Sequence, residues 1–400
     1  MLRVFTYFIE LTACVGKTSR METFRAASAV GDWAAAAQGC AEALGDLPAR
    51  TEGEDYIGFA YANSDLAADF SSIITFLRQT TPVRHWIGAI GSGVVGNDRE
   101  YHDDPALSVM VGSLPTESFH LVDGIGADPA NLPGNLANWV SDAMPGFGLV
   151  HANPSYPEAI DAIDVLTTGA GGELGGCFLV GGISVVPQPG STIVGAETGG
   201  PLSGALFRSG AEVASALTQG CTPLGDNHRV TEARGNVILS INDRPALEVL
   251  KEDVGELLAR DLGRIAGYVH VAIPVTGSDT GDYMVRNLLA IYPEEGAIGI
   301  GGEVEYGDPL LFVRRDPESA RMDLIRMATK LKSRLPDTGI KGGVYFSCVA
   351  RGPSLFGGPE SEAGIIQREL GPFPMTGFFG GGEICGSRLY AYTGVLVLFC

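Results

Sequence analysis

The chain has 400 residues, 45% of them hydrophobic, with 47 acidic against 27 basic side chains and a net charge of -20. At roughly 150 residues per domain this is apolar material for two or three cores. The acidic excess and the lack of a basic block argue against nucleic acid or an anionic membrane surface as partner. No run approaches the roughly 18 apolar residues of a membrane span.

In chain order, "LTAC" at Leu11 to Cys14 looks like a lipoprotein cleavage box, but Glu10 interrupts the apolar run before it, so export is not expected. Either Met1 or Met21 can serve as the start. "DWAAAAQGCAEALGDL" predicts a helix with Asp32 as N-cap. "YIGFAYAN" (56–63) predicts a strand, "LAADFSSIITFLRQT" a helix, "HWIGAIGSGVVGN" a glycine-punctuated strand and "ALSVMVGSL" a further strand.

This β-α-β-β order recurs. It restarts at "GFGLVHANPS" (Gly146), at "AGYVHVAIPVTGSDTGD" (Ala266) and at "GGVYFSCVARGPSLFG" (Gly342). In the third copy "YMVRNLLAIYP" takes the helix place, and "PESARMDLIRMATKLKSRLP" predicts a helix linking copies three and four. Each copy has a glycine-rich corner between strands, carrying Ser92, Ser184, Glu303 and Glu383 in turn. The expectation is an α+β fold: two similar domains, each with two units, mixed sheets and helices on the outer faces. A strand, the Asn242-Asp243 turn and a Pro245-led helix mark the division, giving 1–50 as an extension, 51–245 as the first domain and 246–400 as the second.

The seven cysteines show no C-x-x-C pair, and the six histidines no i, i+3 or i, i+4 pair. Neither a metal site nor a disulfide framework is expected, and reduced thiols suit the cytoplasm. His151, at a strand end, is the one histidine considered as a haem ligand. Gly91, Gly93 and Gly96 match G-x-G-x-x-G, but a strand and not a helix follows, which argues against a dinucleotide. Arg351 has the donors for bidentate capture of a carboxylate, and Glu383 can accept from an amine or hydroxyl. Cys348 lies at a strand end near Arg351, where a thiol can gain reactivity. A hydrolase or transferase would rest on Cys348 or on Ser278, yet no G-x-S-x-G element is present.

Three segments resemble the FIST family. "GCTPLG" followed by Val230-Thr231 and Pro245-Ala246 is similar to the junction of its N- and C-terminal domains. "FSCVARGPSLFG" is similar to its Cys-x-x-Arg-Gly segment, and "GFFGGGEICG" to its closing Gly-Phe-Phe-x-x-Gly-Glu-Ile element. The resemblance spans about residues 50–400 and implies an intracellular sensory module that binds a small ligand such as an amino acid. It also implies haem in some members, and protein recruitment in relatives that follow an F-box. Where many members have histidine this chain has Tyr390, so no cofactor is expected here.

The expected function is therefore a small-ligand sensor relaying to a signalling protein, more a binding protein than an enzyme. The alternatives are a cysteine-dependent hydrolase and a protein-recruiting scaffold. The expected ligand residues are Arg351, Glu383, Cys348, Gly352, Gly382 and Glu303.

Overall fold

The computed structural model describes residues 24–49, 52–125, 134–168, 177–259, 268–275, 283–357 and 360–400. Ser278 and the N-terminal "LTAC" and Met21 lie outside the described residues. The chain forms two compact units, one holding Gln219–Asp323 and the other holding residues 24–218 and Leu324–Cys400. Both contain mixed α and β structure, an α+β fold.

The larger unit contains the first, second and fourth copies, and they are built alike. Each has a first strand (Glu54–Asn63, Phe147–Ala152, Gly342–Cys348) running parallel to a second strand (His85–Gly91, Phe178–Ile183, Met375–Gly380). A closing strand (Ala106–Pro115, Leu202–Phe207, Gly394–Phe399) lies antiparallel on the other side of the first. An edge strand (Phe24–Val30, Phe119–Ile125, Val213–Thr218) pairs with the closing strand. Two helices cover the outer face of each sheet. They are Trp33–Leu44 and Phe70–Thr80, then Gly134–Ala143 and Asp161–Thr168, then Pro317–Lys332 and Glu362–Leu370. Alternation puts Tyr345 and Leu396 under the helices, while Val344 and Phe346 join one core shared by all three sheets.

The glycine corners pass each chain segment to a neighbouring sheet. After its second strand every copy forms a short hairpin, beginning at Val94–Gly96, Thr192–Val194 and Glu383–Cys385. None pairs with its own copy. The first pairs with the second strand of the last copy, the second with that of the first copy, and the last with that of the second copy. The exchange closes a ring of three. The same backbone bond ties each junction: Ser92 N–H to Phe379 O (2.9 Å), Val185 N–H to Ile90 O (3.1 Å) and Gly381 N–H to Ile183 O (2.8 Å).

This register corrects the expected equivalence of Ser92, Ser184 and Glu383. Val94 stands opposite Phe378, Thr192 opposite Ala89 and Glu383 opposite Gly182, so the counterparts of Glu383 are Val94 and Thr192.

The third copy is a different structure. In the smaller unit, strands Pro309–Arg315, His228–Arg234, Val237–Ile241, Ala297–Ile300, Tyr283–Tyr292 and Val269–Pro274 pair in that order, and the last returns to the first. They make a closed antiparallel barrel, whose core includes Leu247, Leu250 and Val254 of the helix Ala246–Ala259. The expected helix at "YMVRNLLAIYP" is the strand Tyr283–Tyr292. Its buried Val285 and Leu288 are three apart, which imitates helical spacing. A bulge between Leu288 and Ala290 interrupts simple alternation there.

One glycine per copy sets how closely the parallel pair approaches. A Cβ on Gly88, Gly181 or Gly377 would fall inside the carbonyl oxygen of Ala60, Val150 or Tyr345 respectively. Backbone cannot retreat as a flexible side chain can. Gly377→Ala is therefore expected to destabilise the chain by about 3 kcal/mol or to stop it folding, read by urea unfolding. An alanine variant with unchanged stability would overturn this account.

Candidate functional site

The C-terminal ends of the first strands carry the chemistry. Gly342–Cys348 delivers Cys348, followed by a turn in which Arg351 N–H donates to Cys348 O at 2.8 Å. Gly352 has φ 55° and opens the short helix Pro353–Phe356. Arg351 is wholly buried and reaches Glu362, with Nε at 2.9 Å and Nη2 at 2.6 Å from Oε2. Tyr345 Oη (2.7 Å), Ser347 Oγ (2.8 Å) and Gly352 N–H (3.3 Å) also donate to Glu362. The Arg351 guanidinium lies 5.3 Å from the centre of the Phe356 ring. Burial alone would lower the pKa of Arg351, but the adjacent Glu362 charge outweighs it and holds the guanidinium firmly protonated.

Glu383 lies in the same neighbourhood, joined through Thr393. Thr393 Oγ1 (2.7 Å) and N–H (3.2 Å) donate to Glu383 Oε2, while Cys348 N–H donates to Thr393 O at 3.0 Å. Glu383 Oε1 is buried with no hydrogen-bond partner among the described residues. Burial pushes the carboxyl pKa up to about 8, against the lowering pull of Thr393 and Arg351. A buried polar atom left unpaired costs about 1–3 kcal/mol.

Cys348, Arg351, Gly352, Gly382 and Glu383 are therefore drawn together on adjoining segments. Gly382 takes part through its carbonyl, which accepts from Ile183 N–H at 2.9 Å. Glu303 is exposed, belongs to the barrel unit and is left out of the cluster.

Three residues escaped the sequence reading. Glu362 is the partner of Arg351, and it begins a helix capped by Ser361, whose Oγ accepts from Gly364 N–H at 3.0 Å. Its spacing to Ile365 and Ile366 puts it on the apolar face, which is the signal that reveals it. Tyr61 and Thr192 are the others. Tyr61, His151 and Phe346 hold equivalent places on the three first strands and meet on the shared axis, with ring centres 5.4–6.1 Å apart. Tyr61 Oη and His151 Nε2 are 3.0 Å apart. The repeated triplets Tyr61-Ala62-Asn63 and His151-Ala152-Asn153 carry that equivalence in the sequence.

His151, Gly182 and Glu383 lie side by side across three strands. His151 Nδ1, Thr192 Oγ1 and Ser203 Oγ resemble Glu383 Oε1 in being buried without a partner among the described residues. Burial pushes the His151 pKa down to about 3, so its ring is neutral. Its Nε2 is engaged by Tyr61, and Phe346 and Phe378 lie 6.1 Å from its centre. His151 does not fit an axial haem ligand. Tyr390, at the place of the family's histidine, is buried opposite Glu383 in the hairpin.

The N-terminal model of the FIST family, the FIST N domain, matches residues 57–244, and the FIST C domain matches 246–386. The chain belongs to the FIST family. FIST domains are signal-transduction sensory domains. The FIST chain is 31% identical over 382 residues to an uncharacterized protein of Mycobacterium tuberculosis, covering 91% of this chain and 96% of the relative. It is 28% identical over 372 residues to an uncharacterized protein of Mycobacterium bovis, covering 84% of this chain and 88% of the relative. Among the described residues of the FIST chain, no helix is long and apolar enough to cross a membrane. No cluster of three His, Cys, Asp or Glu among them would hold a metal ion.

Two outcomes test this geometry. Glu362→Ala strands the buried guanidinium and is expected to cost about 3–5 kcal/mol by denaturant unfolding. Loss of less than about 1 kcal/mol would show that Arg351 needs no buried partner. Glu383 has a folded-state pKa above its unfolded one, so its contribution to stability is complete below the unfolded value and disappears as pH rises through about 8. The stability of the parent chain relative to Glu383→Gln is expected to fall steadily between pH 5 and pH 8. A pH-independent difference would mean that Glu383 is ionised throughout.

Proposed function

We propose that this FIST protein is a cytoplasmic sensor that binds a small polar metabolite, of amino-acid size, at the Glu383 end of the axis and relays occupancy to a signalling partner. The observation that carries the reading is the half-satisfied carboxyl of Glu383. A ligand ammonium or hydroxyl donating to Oε1 would pair a buried atom that otherwise lacks a partner among the described residues. An ammonium would also favour the ionised carboxylate. Arg351, bonded to Glu362 through Nε and Nη2 and to Tyr392 O through Nη1 at 3.5 Å, would act on an anionic ligand group through its charge. Cys348, Gly352 and Gly382 would shape the backbone around it. The net charge of -20 favours a zwitterion over a phosphorylated ligand.

The strand exchange supports the relay. The hairpin that begins with Glu383 pairs with the second copy, so a ligand-driven shift of Glu383 would act on two copies at once. Ligands favour the carboxyl ends of parallel strands in α/β sheets, and this cluster has that position. Cys348 is buried, and no observation favours the hydrolase reading.

A thermal-shift screen of the twenty amino acids and their decarboxylated amines tests the proposal, since a bound ligand raises the apparent melting temperature. One of them is expected to stabilise the chain. Glu383→Gln is expected to weaken that ligand by about 2–5 kcal/mol in calorimetry. If Glu383→Gln stays folded and binds it as tightly as before, the sensor site lies elsewhere.

A further inference from the structure

The opposite end of the same axis holds a cavity of about 530 Å³, within the larger unit. That volume suits a small organic ligand. Its apolar wall is Phe24, Phe207 and Phe399; the Phe399 ring centre lies 5.1 Å from Phe24 and 5.7 Å from Phe207. Phe207 and Phe399 hold equivalent places on their closing strands, opposite Phe147 and Gly342. The first copy has Gly112 there, and the Phe24 ring occupies the room that a side chain on Gly112 would need. The wall is thus built from the second and last copies and completed by the edge strand of the first.

The polar part of the lining is distinct. Lys341, Arg208 and Glu212 contribute two cations and one anion. Arg208 is paired with Asp142 at 2.8 Å, while Lys341 and Glu212 both act on the Cys400 thiol. Burial, then Glu212, pushes that thiol up to about 11, so it stays neutral. Ser118 also lines the cavity, and its Oγ is shielded from solvent with no hydrogen-bond partner among the described residues. Flat rings, the Lys341 ammonium and a hydroxyl without a partner among the described residues are complementary to one ligand chemistry: a carboxylate on an apolar body.

We infer that this cavity is a second ligand site, distinct from Glu383, for a small apolar monocarboxylate. The carboxylate lies toward Lys341 and Ser118, and the body lies against Phe24, Phe207 and Phe399. About four residues of strand separate the Phe399 level from the Val395 level beside Phe346, which is roughly 13 Å at 3.3 Å per residue. The two sites can therefore fill independently.

The test is calorimetry of the full chain with phenylacetate and with octanoate, which separate an aromatic from an alkyl body. 2-Phenylethanol and phenethylammonium serve as the neutral and cationic counterparts. At least one carboxylate is expected to bind at one site per chain, tenfold or more tighter than the alcohol, with no binding of the ammonium. Lys341→Met, which keeps the apolar stem, should weaken it at least tenfold, and Ser118→Ala a few-fold. Gly112→Ala, crowding Phe24 into the cavity, should weaken it as well; circular dichroism confirms that each variant is folded. Glu383→Gln should leave this binding unchanged, which keeps the result separate from the sensor reading above. A carboxylate that binds no better than the alcohol, or equal affinity in Lys341→Met, overturns the proposal.

Discussion

The larger unit depends on one constraint: each hairpin must leave its own sheet and complete another. A sheet that lacked the visiting hairpin would end at its second strand, with a row of unpaired backbone groups at the edge. Because the exchange runs in a ring, no copy can be completed alone. The apolar faces inside the ring then form one core, from Phe399 at one end to Phe346 and Phe378 at the other. The helices do not contribute to it; they close the outer faces. Burial of the axis and the pairing of the hairpins are thus the same event.

The glycines follow from this geometry. Gly88, Gly181 and Gly377 let the second strand lie against a carbonyl of the first. Gly93 and Gly382 offer their carbonyls to Phe379 and Ile183 at the junctions. Gly88, Gly181 and Gly377 are alike because that backbone approach is alike, whereas at the remaining junction the carbonyl offered to Ile90 N–H belongs to Ser191. The side chains beside them are under no such constraint, and they differ: Val94, Thr192 and Glu383 on the hairpins, Tyr61, His151 and Phe346 on the first strands at the same level.

Much of the local structure was legible. Asp32 does cap its helix, accepting from Ala35 N–H at 2.9 Å, and the α+β class and outer helices were readable from alternation and helical spacing. The segments around Cys348, Arg351 and Glu383 could be singled out by motif. What could not be read was the partner across the ring, because pairing between Glu383 and Gly182 joins residues 201 positions apart. The order of β-α-β-β elements is the same whether a hairpin stays home or leaves. The barrel was also hidden, since a bulged strand with Val285 and Leu288 buried has the apolar spacing of a helix. Glu362 was legible in principle: a carboxylate on the apolar face of a capped helix requires a buried donor, and Arg351 is eleven residues away.

Threefold repetition gives these departures their meaning. A polar residue that breaks the repeat at a buried level has no structural need to be there, since its counterpart in another copy closes the same core with an apolar side chain. Phe346 fills the place of His151, and Val94 fills the place of Glu383. Fold stability would be served by apolar residues at all three positions, given the cost of burying an unpaired polar atom. Arg351 differs, because its charge is answered within its own copy by Glu362, which Tyr345 and Ser347 hold in turn by donating to it, and this makes the pair a foundation for the segment around it. The polar atoms left over on the axis, at Glu383, His151, Thr192 and Ser203, are the ones the scaffold does not explain. Their clustering at the level where the hairpins cross places any chemistry they perform on the joints of the ring.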